Sequence, residues 1–279
     1  MTETPGFRWF RRITLTFLTV FTVMPLYVLV VTSVKPLEDV RGLFTWLPDR
    51  LTFRPYVEMW STIPLARYLT NSLVVTVTAT VLALMIAILA AYPLARLRFR
   101  GKRVFSMTVL STQMFPGILF LLPLFLIFVQ LEEILGIQFT GSYTGLIITY
   151  LTFALPFSIW MLAGYFQAIP EGLEEAAMID GTSRIGALFR VILPVARPGI
   201  LAVGVFAFIT AWGEVLFASV LTDTETRTLS IGLKLYTSQV DTLWNQLLAA
   251  SLTISLPVIV AFILVQRHLV SGLSAGAVK

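Results

Sequence analysis

The spacing of charges limits this chain more than any other feature. Asp, Glu, Lys and Arg are missing from the stretches 13–34, 69–95, 104–131 and 247–265, and residues 134–170 are uncharged throughout. Residues 200–221 hold a single charge, Glu214. About 30 Å of hydrocarbon takes roughly 20 apolar helical residues to cross. Within 134–170 the Gly-Ile-Gln-Phe-Thr-Gly-Ser segment reads as a turn, leaving 143–166 as a span. The pattern therefore predicts an all-α integral membrane protein with six spans, at about 13–34, 69–95, 104–131, 143–166, 200–221 and 247–265. Charged residues make up only 13% of the chain against about a quarter in soluble domains. The first run is read as a span and not a cleaved leader, being too long for a leader core and lacking a small-residue cleavage site.

Basic residues set the orientation. Arg8, Arg11 and Arg12 precede the first span, and Arg96, Arg98, Arg100, Lys102 and Arg103 crowd the second connection. Arg184, Arg190 and Arg197 lie in the fourth connection, whereas the third has only Glu132 and Glu133. This density places both termini and connections two and four in the cytoplasm, N-in and C-in. Residues 1–12 then form a cytoplasmic N-terminus and 266–279 a cytoplasmic tail. Pro93, Pro116, Pro123, Pro156 and Pro257 fall inside spans, where neighbouring helices can accommodate a kink, and are read as ordinary packing.

Several function classes lack their chemistry. With no cysteine there is no disulfide, thiolate metal site or cysteine nucleophile, and His268 is the only histidine. No zinc-protease, serine-hydrolase or phosphate-loop motif occurs. Glu214 alone cannot form the relay of buried ionisable groups expected of an ion-coupled carrier. The sequence therefore implies no catalytic residue, metal or cofactor in this chain; energy for uphill transport would come from another subunit.

That directs attention to the connection 170–198. Pro170 suits a first helical position, and Glu171, Glu174 and Glu175 suit the positive end of a helix. Leu173, Ala176, Ala177 and Asp180 share one face. Gly181 suits a left-handed helix stop, and Thr182 or Ser183 can cap a second helix. There Ile185, Leu188, Phe189 and Ile192 form an apolar stripe ended by Pro194. By pattern alone this could be an amphipathic hairpin lying on the membrane surface.

The order Glu175-Ala176-Ala177, three residues, Gly181, nine residues, Val191, any residue, Leu193-Pro194 resembles the EAA signature of permease subunits of binding-protein-dependent ABC importers, with Val191 in place of the usual Ile. "AAYPLARLRFRGKR", "TFALPFSIWML", "AWGEVLFASVLTDTETRTLSIGL" and "VSGLSAGAVK" are similar to the carbohydrate branch, specifically the shorter permease of maltose- and trehalose-type systems. Gly213 replaces the usual Asn and Ser230 the usual Pro.

The resemblance implies a type I ABC importer permease fold in a bacterial cell membrane. It implies that Glu175, Ala176, Ala177, Asp180, Gly181, Leu193 and Pro194 dock on an ATPase dimer that binds the ATP and magnesium. It further implies a second permease subunit, an extracytoplasmic sugar-binding protein, and a maltose- or trehalose-like oligosaccharide or disaccharide as cargo. Trp212 and Glu214 become candidates for the translocation path, and Gly272, Gly276 and Lys279 for a tail reaching between the ATPase subunits as a narrow strand of backbone. A membrane scaffold subunit, or a stand-alone facilitator, is the alternative function.

Overall fold

The computed structural model describes residues 4–238 and 241–275, and its backbone divides into two compact units. The first comprises Met1–Ala66 with Gly232–Leu256, the second Arg67–Ile231 with Pro257–Lys279. The described residues are helical throughout apart from turns and one isolated bridge between Thr237 and Thr242. In chain order the α-helices are α1 (Pro5–Ser33), α2 (Leu37–Arg41), α3 (Arg54–Thr62), α4 (Leu65–Arg96), α5 (Lys102–Ser111), α6 (Leu121–Leu135) and α7 (Tyr143–Ala168). They continue with α8 (Glu171–Ile179), α9 (Arg184–Ala187), α10 (Leu193–Val195), α11 (Arg197–Trp212), α12 (Leu216–Leu221), α13 (Leu229–Gly232) and α14 (Trp244–Ala275). A π turn, Leu188–Ile192, joins α9 to α10.

Among the described residues five helical stretches are long and apolar enough to cross a membrane: α1, α4, Gly117–Leu135, α7 and Trp244–Gln266 of α14. A sixth is counted only if Arg184–Val195 and Arg197–Trp212, bent by 79°, are taken together. Two expected spans are interrupted. The helix expected over 104–131 stops at Ser111 and resumes at Leu121, with 3-10 turns on either side of Phe115 and Pro116. Pro116 has no amide to donate and holds Phe115 extended at ψ 130°, so reading it as ordinary packing fails. Pro93, Pro156 and Pro257 do stay inside continuous helices. The helix expected over 200–221 breaks between Trp212 and Leu216, where Gly213 ends α11 and Val215 leaves helical geometry.

In the second unit the core follows from residue size. Val75, Ala79, Ala83, Ala87 and Ala91 recur every fourth residue along α4 and are all buried. Such a stripe lets helix backbones approach closely, which matters in lipid because apolar burial supplies little drive there. Ala154 of α7 and Ala207 of α11 meet it at Ala83. Towards one end Leu162, Phe166, Leu188, Ile192 and Val203 pack with Ala87 and Ala91; towards the other, Leu146, Phe217, Ala218 and Leu221 pack with Val75 and Ala79. Gly199 permits a close α7–α11 approach, since a Cβ there would lie 2.5–2.8 Å from the Tyr165 ring. The turn before α7 is ordered by Glu132, whose carboxylate accepts from the Phe139 amide at 2.6 Å and from the Thr140 hydroxyl at 2.8 Å.

In the first unit α1 leaves its apolar window unburied, while α2 and α3 order the connection that follows it. Lys35 is buried, donating to the Thr45 carbonyl at 2.6 Å and hydroxyl at 2.9 Å. The Tyr236 hydroxyl donates to the Met59 carbonyl at 2.6 Å, and burial pushes that phenol above its ordinary range.

Candidate functional site

The hairpin of α8 and α9 is held by local bonds at each end of its turn. Gly181 adopts φ +88°, and its amide reaches the Met178 carbonyl at 3.1 Å while the Thr182 amide reaches Ala177 at 3.0 Å. This pair of bonds satisfies carbonyls that a helix end otherwise leaves open. Ser183 then caps α9, its hydroxyl accepting from the Gly186 amide at 3.1 Å. Pro170 stands just before α8, which begins one residue later than expected, with Glu171 and Glu174 in its first turn.

Sorting the candidate residues by exposure divides them. Glu175, Ala176, Asp180 and Gly181 are exposed and Ala177 is half-buried. Around them stand Ile179 at 85% and Leu173 at 45% exposure. The stripe expected on the second helix splits: Ile185 and Phe189 are 69% and 55% exposed, whereas Leu188 and Ile192 are 3% and 0% exposed and belong to the core. Leu193 packs against that same core, so it does not share the outward face expected for docking; Pro194 is exposed. The π turn has a local cause in Pro194, which lacks an amide and whose ring would collide with the carbonyl of Arg190 in a regular helix.

Three side chains that the sequence marks only as topology or helix-end charges, or does not single out, anchor the hairpin. Arg96 Nε lies 3.0 Å from Glu174 Oε2, with the two side chains 5% and 7% exposed. That N–H is not aligned on the carboxylate, so the attraction is Coulombic. The same guanidinium donates to the Ile169 carbonyl at 2.8 Å. The Tyr92 hydroxyl donates to Glu174 Oε1 and lies 3.3 Å from the Arg184 carbonyl. The end of α4 thus grips the end of α7, the start of α8 and the start of α9. A charge placed one residue before Glu-Ala-Ala, and an Arg ending a long apolar run, are the only sequence signals that could have pointed to it.

Glu214 does not stand in its span unpartnered. Its carboxylate oxygens accept from the Phe217 and Ala218 amides, each at 3.0 Å, capping α12 across the break, and Ser230 Oγ donates to its carbonyl at 2.6 Å. Trp212 stacks on Phe208 with centroids 5.5 Å apart. The tail departs from the strand of backbone expected at Gly272: α14 continues through Ala275 with Gly272 inside it. One glycine costs a helix about 1 kcal/mol relative to alanine. Gly276 and Lys279 lie outside the described residues.

Comparison with known proteins is consistent with this architecture. The sequence profile of the family described as binding-protein-dependent transport system inner membrane component matches residues 83–274. The chain is 39% identical over 264 residues to the inner membrane ABC transporter permease protein YcjP of Escherichia coli (strain K12), covering 93% of this chain and 92% of that one. It is 37% identical over 248 residues to the sulfoquinovosyl glycerol transport system permease protein SmoH of Agrobacterium fabrum (strain C58 / ATCC 33970), covering 88% and 82%. Among solved structures, a chain of a bacterial ABC transporter involved in the import of the acidic polysaccharide alginate superposes with a TM-score of 0.79 at 22% identity, covering 96% of this chain and 99% of that one. The all-helical fold, the profile match and these relatives agree: the chain belongs to the inner membrane components of binding-protein-dependent transport systems, and is a transport permease, not an enzyme.

Proposed function

We propose that this permease forms half of the translocation path of an ATP-driven sugar importer and that the α8–α9 hairpin is its docking element for a cytoplasmic ATPase. The observation that carries the reading is the outward face of the hairpin. Ile179, Ile185 and Phe189 stand exposed beside Ala176 and Ala177, on a turn stiffened by Gly181 and Ser183. A stiff hairpin moves as a body, and small side chains let a partner surface come close. The remaining assembly is a second permease and an extracytoplasmic binding protein, in keeping with the family, with both termini of this chain in the cytoplasm.

A sugar cargo is supported by the carbohydrate-branch motifs and by the relative named for sulfoquinovosyl glycerol, itself a glycoside. Maltose and trehalose are therefore two members of a panel of glycosides. The C-terminal tail is proposed to reach the ATPase dimer, and a cysteine placed at Ala277 in this cysteine-free chain reports it by crosslinking. Copurification tests the whole reading: wild-type chain brings down an ATPase and a second permease, and Ile179→Asp with Phe189→Asp loses the ATPase alone. Retention of the ATPase by that variant would move the docking element elsewhere, and uptake without any ATPase would favour a facilitator.

A further inference from the structure

The Arg96–Glu174 pair raises its own question. A buried ion pair is weak evidence for stability, because desolvating two charges offsets much of their attraction, and an apolar pair of similar volume often serves as well. This pair lies where a long membrane helix ends and the exposed hairpin begins. Tyr92 and Arg96 occupy the last two turns of α4. Through them α4 reaches the carboxylate of Glu174, the carbonyl that closes α7 at Ile169 and the Arg184 carbonyl that opens α9. Glu174 faces inward while its neighbour Glu175 faces outward, so adjacent carboxylates serve opposite sides of one helix. An apolar contact could slide under load; here the phenol of Tyr92 fixes the Glu174 carboxylate by a directional hydrogen bond while the Arg96 guanidinium attracts it and is itself bonded to the Ile169 carbonyl.

We propose that Arg96, Glu174 and Tyr92 form a positioning joint that makes the hairpin and the membrane helix α4 move together, so that displacement of the hairpin reaches the permease core. The proposal rests on the docking reading above, but concerns a different step: docking is the work of the outward face, transmission that of the buried joint.

The test uses the assembled importer in proteoliposomes and reads sugar moved per ATP hydrolysed, with ATPase copurification as the control for docking. Glu174→Gln and Arg96→Gln are expected to keep the ATPase bound and to lower the ratio about tenfold, within the range seen for changes in coupling networks. The reversed pair, Arg96→Glu with Glu174→Arg, is expected to recover part of the ratio, which a loss of general packing would not do. An unchanged ratio in Glu174→Gln with the ATPase bound overturns the joint and leaves docking intact. Loss of the ATPase from Glu174→Gln, with the chain still inserted, overturns the division between docking and transmission. If Glu174→Gln does not assemble at all, Tyr92→Phe decides, since it removes one hydroxyl and leaves both charges. A lowered ratio there supports the joint, and an unchanged one overturns it.

Discussion

Glu214 holds Phe217 by its backbone: one carboxylate oxygen accepts from the Phe217 amide at 3.0 Å while the other accepts from Ala218. The fifth span is broken here, and the acidic side chain that a membrane should disfavour is what restarts the helix.

Glu214→Ala should therefore destabilise the solubilised protein by about 0.5–2 kcal/mol, the usual cost of removing a helix cap. Glu214→Gln keeps one acceptor oxygen and should lose less. Thermal unfolding in detergent checks both. A transport defect in Glu214→Gln without any change in unfolding would assign the carboxylate to the path instead of the cap.

Gly181 gives a sharper contrast. A Cβ there meets nothing within 4 Å, so any penalty comes from φ +88° alone. Gly181→Asn, a residue that tolerates left-handed geometry, should keep most sugar-stimulated ATP hydrolysis, while Gly181→Val should lose it with insertion unchanged; the strain is about 1–2 kcal/mol. Equal stimulation in the two variants would show that the turn tolerates other conformations.

Steric contact governs Gly199. Gly199→Ala drives a methyl into Tyr165 and should cost about 1–3 kcal/mol, as overpacking in a close-packed interior does. Combining it with Tyr165→Leu should recover most of the loss. Unfolding curves of the two single variants and the double variant provide the measurement, and additive losses would rule out the pairing.

The loop after α12 should respond to acid. The Thr226 amide and hydroxyl, with the Glu225 amide, hold the Asp223 carboxyl below its ordinary 3.8. A depressed carboxyl stabilises the folded loop fully above the ordinary value and loses that contribution as pH falls through the lower folded value. Hydrogen exchange at Glu225 and Thr226 should therefore quicken on acidification below about pH 3.8, after correction for the intrinsic rate. Asp223→Asn should remove that pH response.

The charge pattern made the helical class and the membrane setting legible, because a long uncharged run has few other physical solutions. The hairpin was legible because Gly181 and Ser183 carry local chemistry that does not depend on distant residues. What stayed hidden was non-local. Arg96 reads as one more basic residue in a crowded connection until α4 and α8 are brought together in space. The cap made by Glu214 is local, yet it too was hidden, because the Phe217 and Ala218 amides become free only once the helix has stopped at Gly213. At Pro116 the signal was present, but proline is common in membrane helices, so a break and a tolerated kink look alike in sequence.

The π turn at Leu188–Ile192 has a consequence for how this hairpin can vary. Its bonds run five residues back instead of four, so it contains one residue more than α pitch would need. Ile185, before it, faces out, and Leu193, after it, faces in. Losing one residue there, Arg190 for instance, would restore α pitch and turn everything downstream by roughly 100° relative to α9. The extra residue thus acts as a phase setting between the exposed face of α9 and the face that packs into the core. Each face can drift in sequence on its own, provided the length of that single turn is kept.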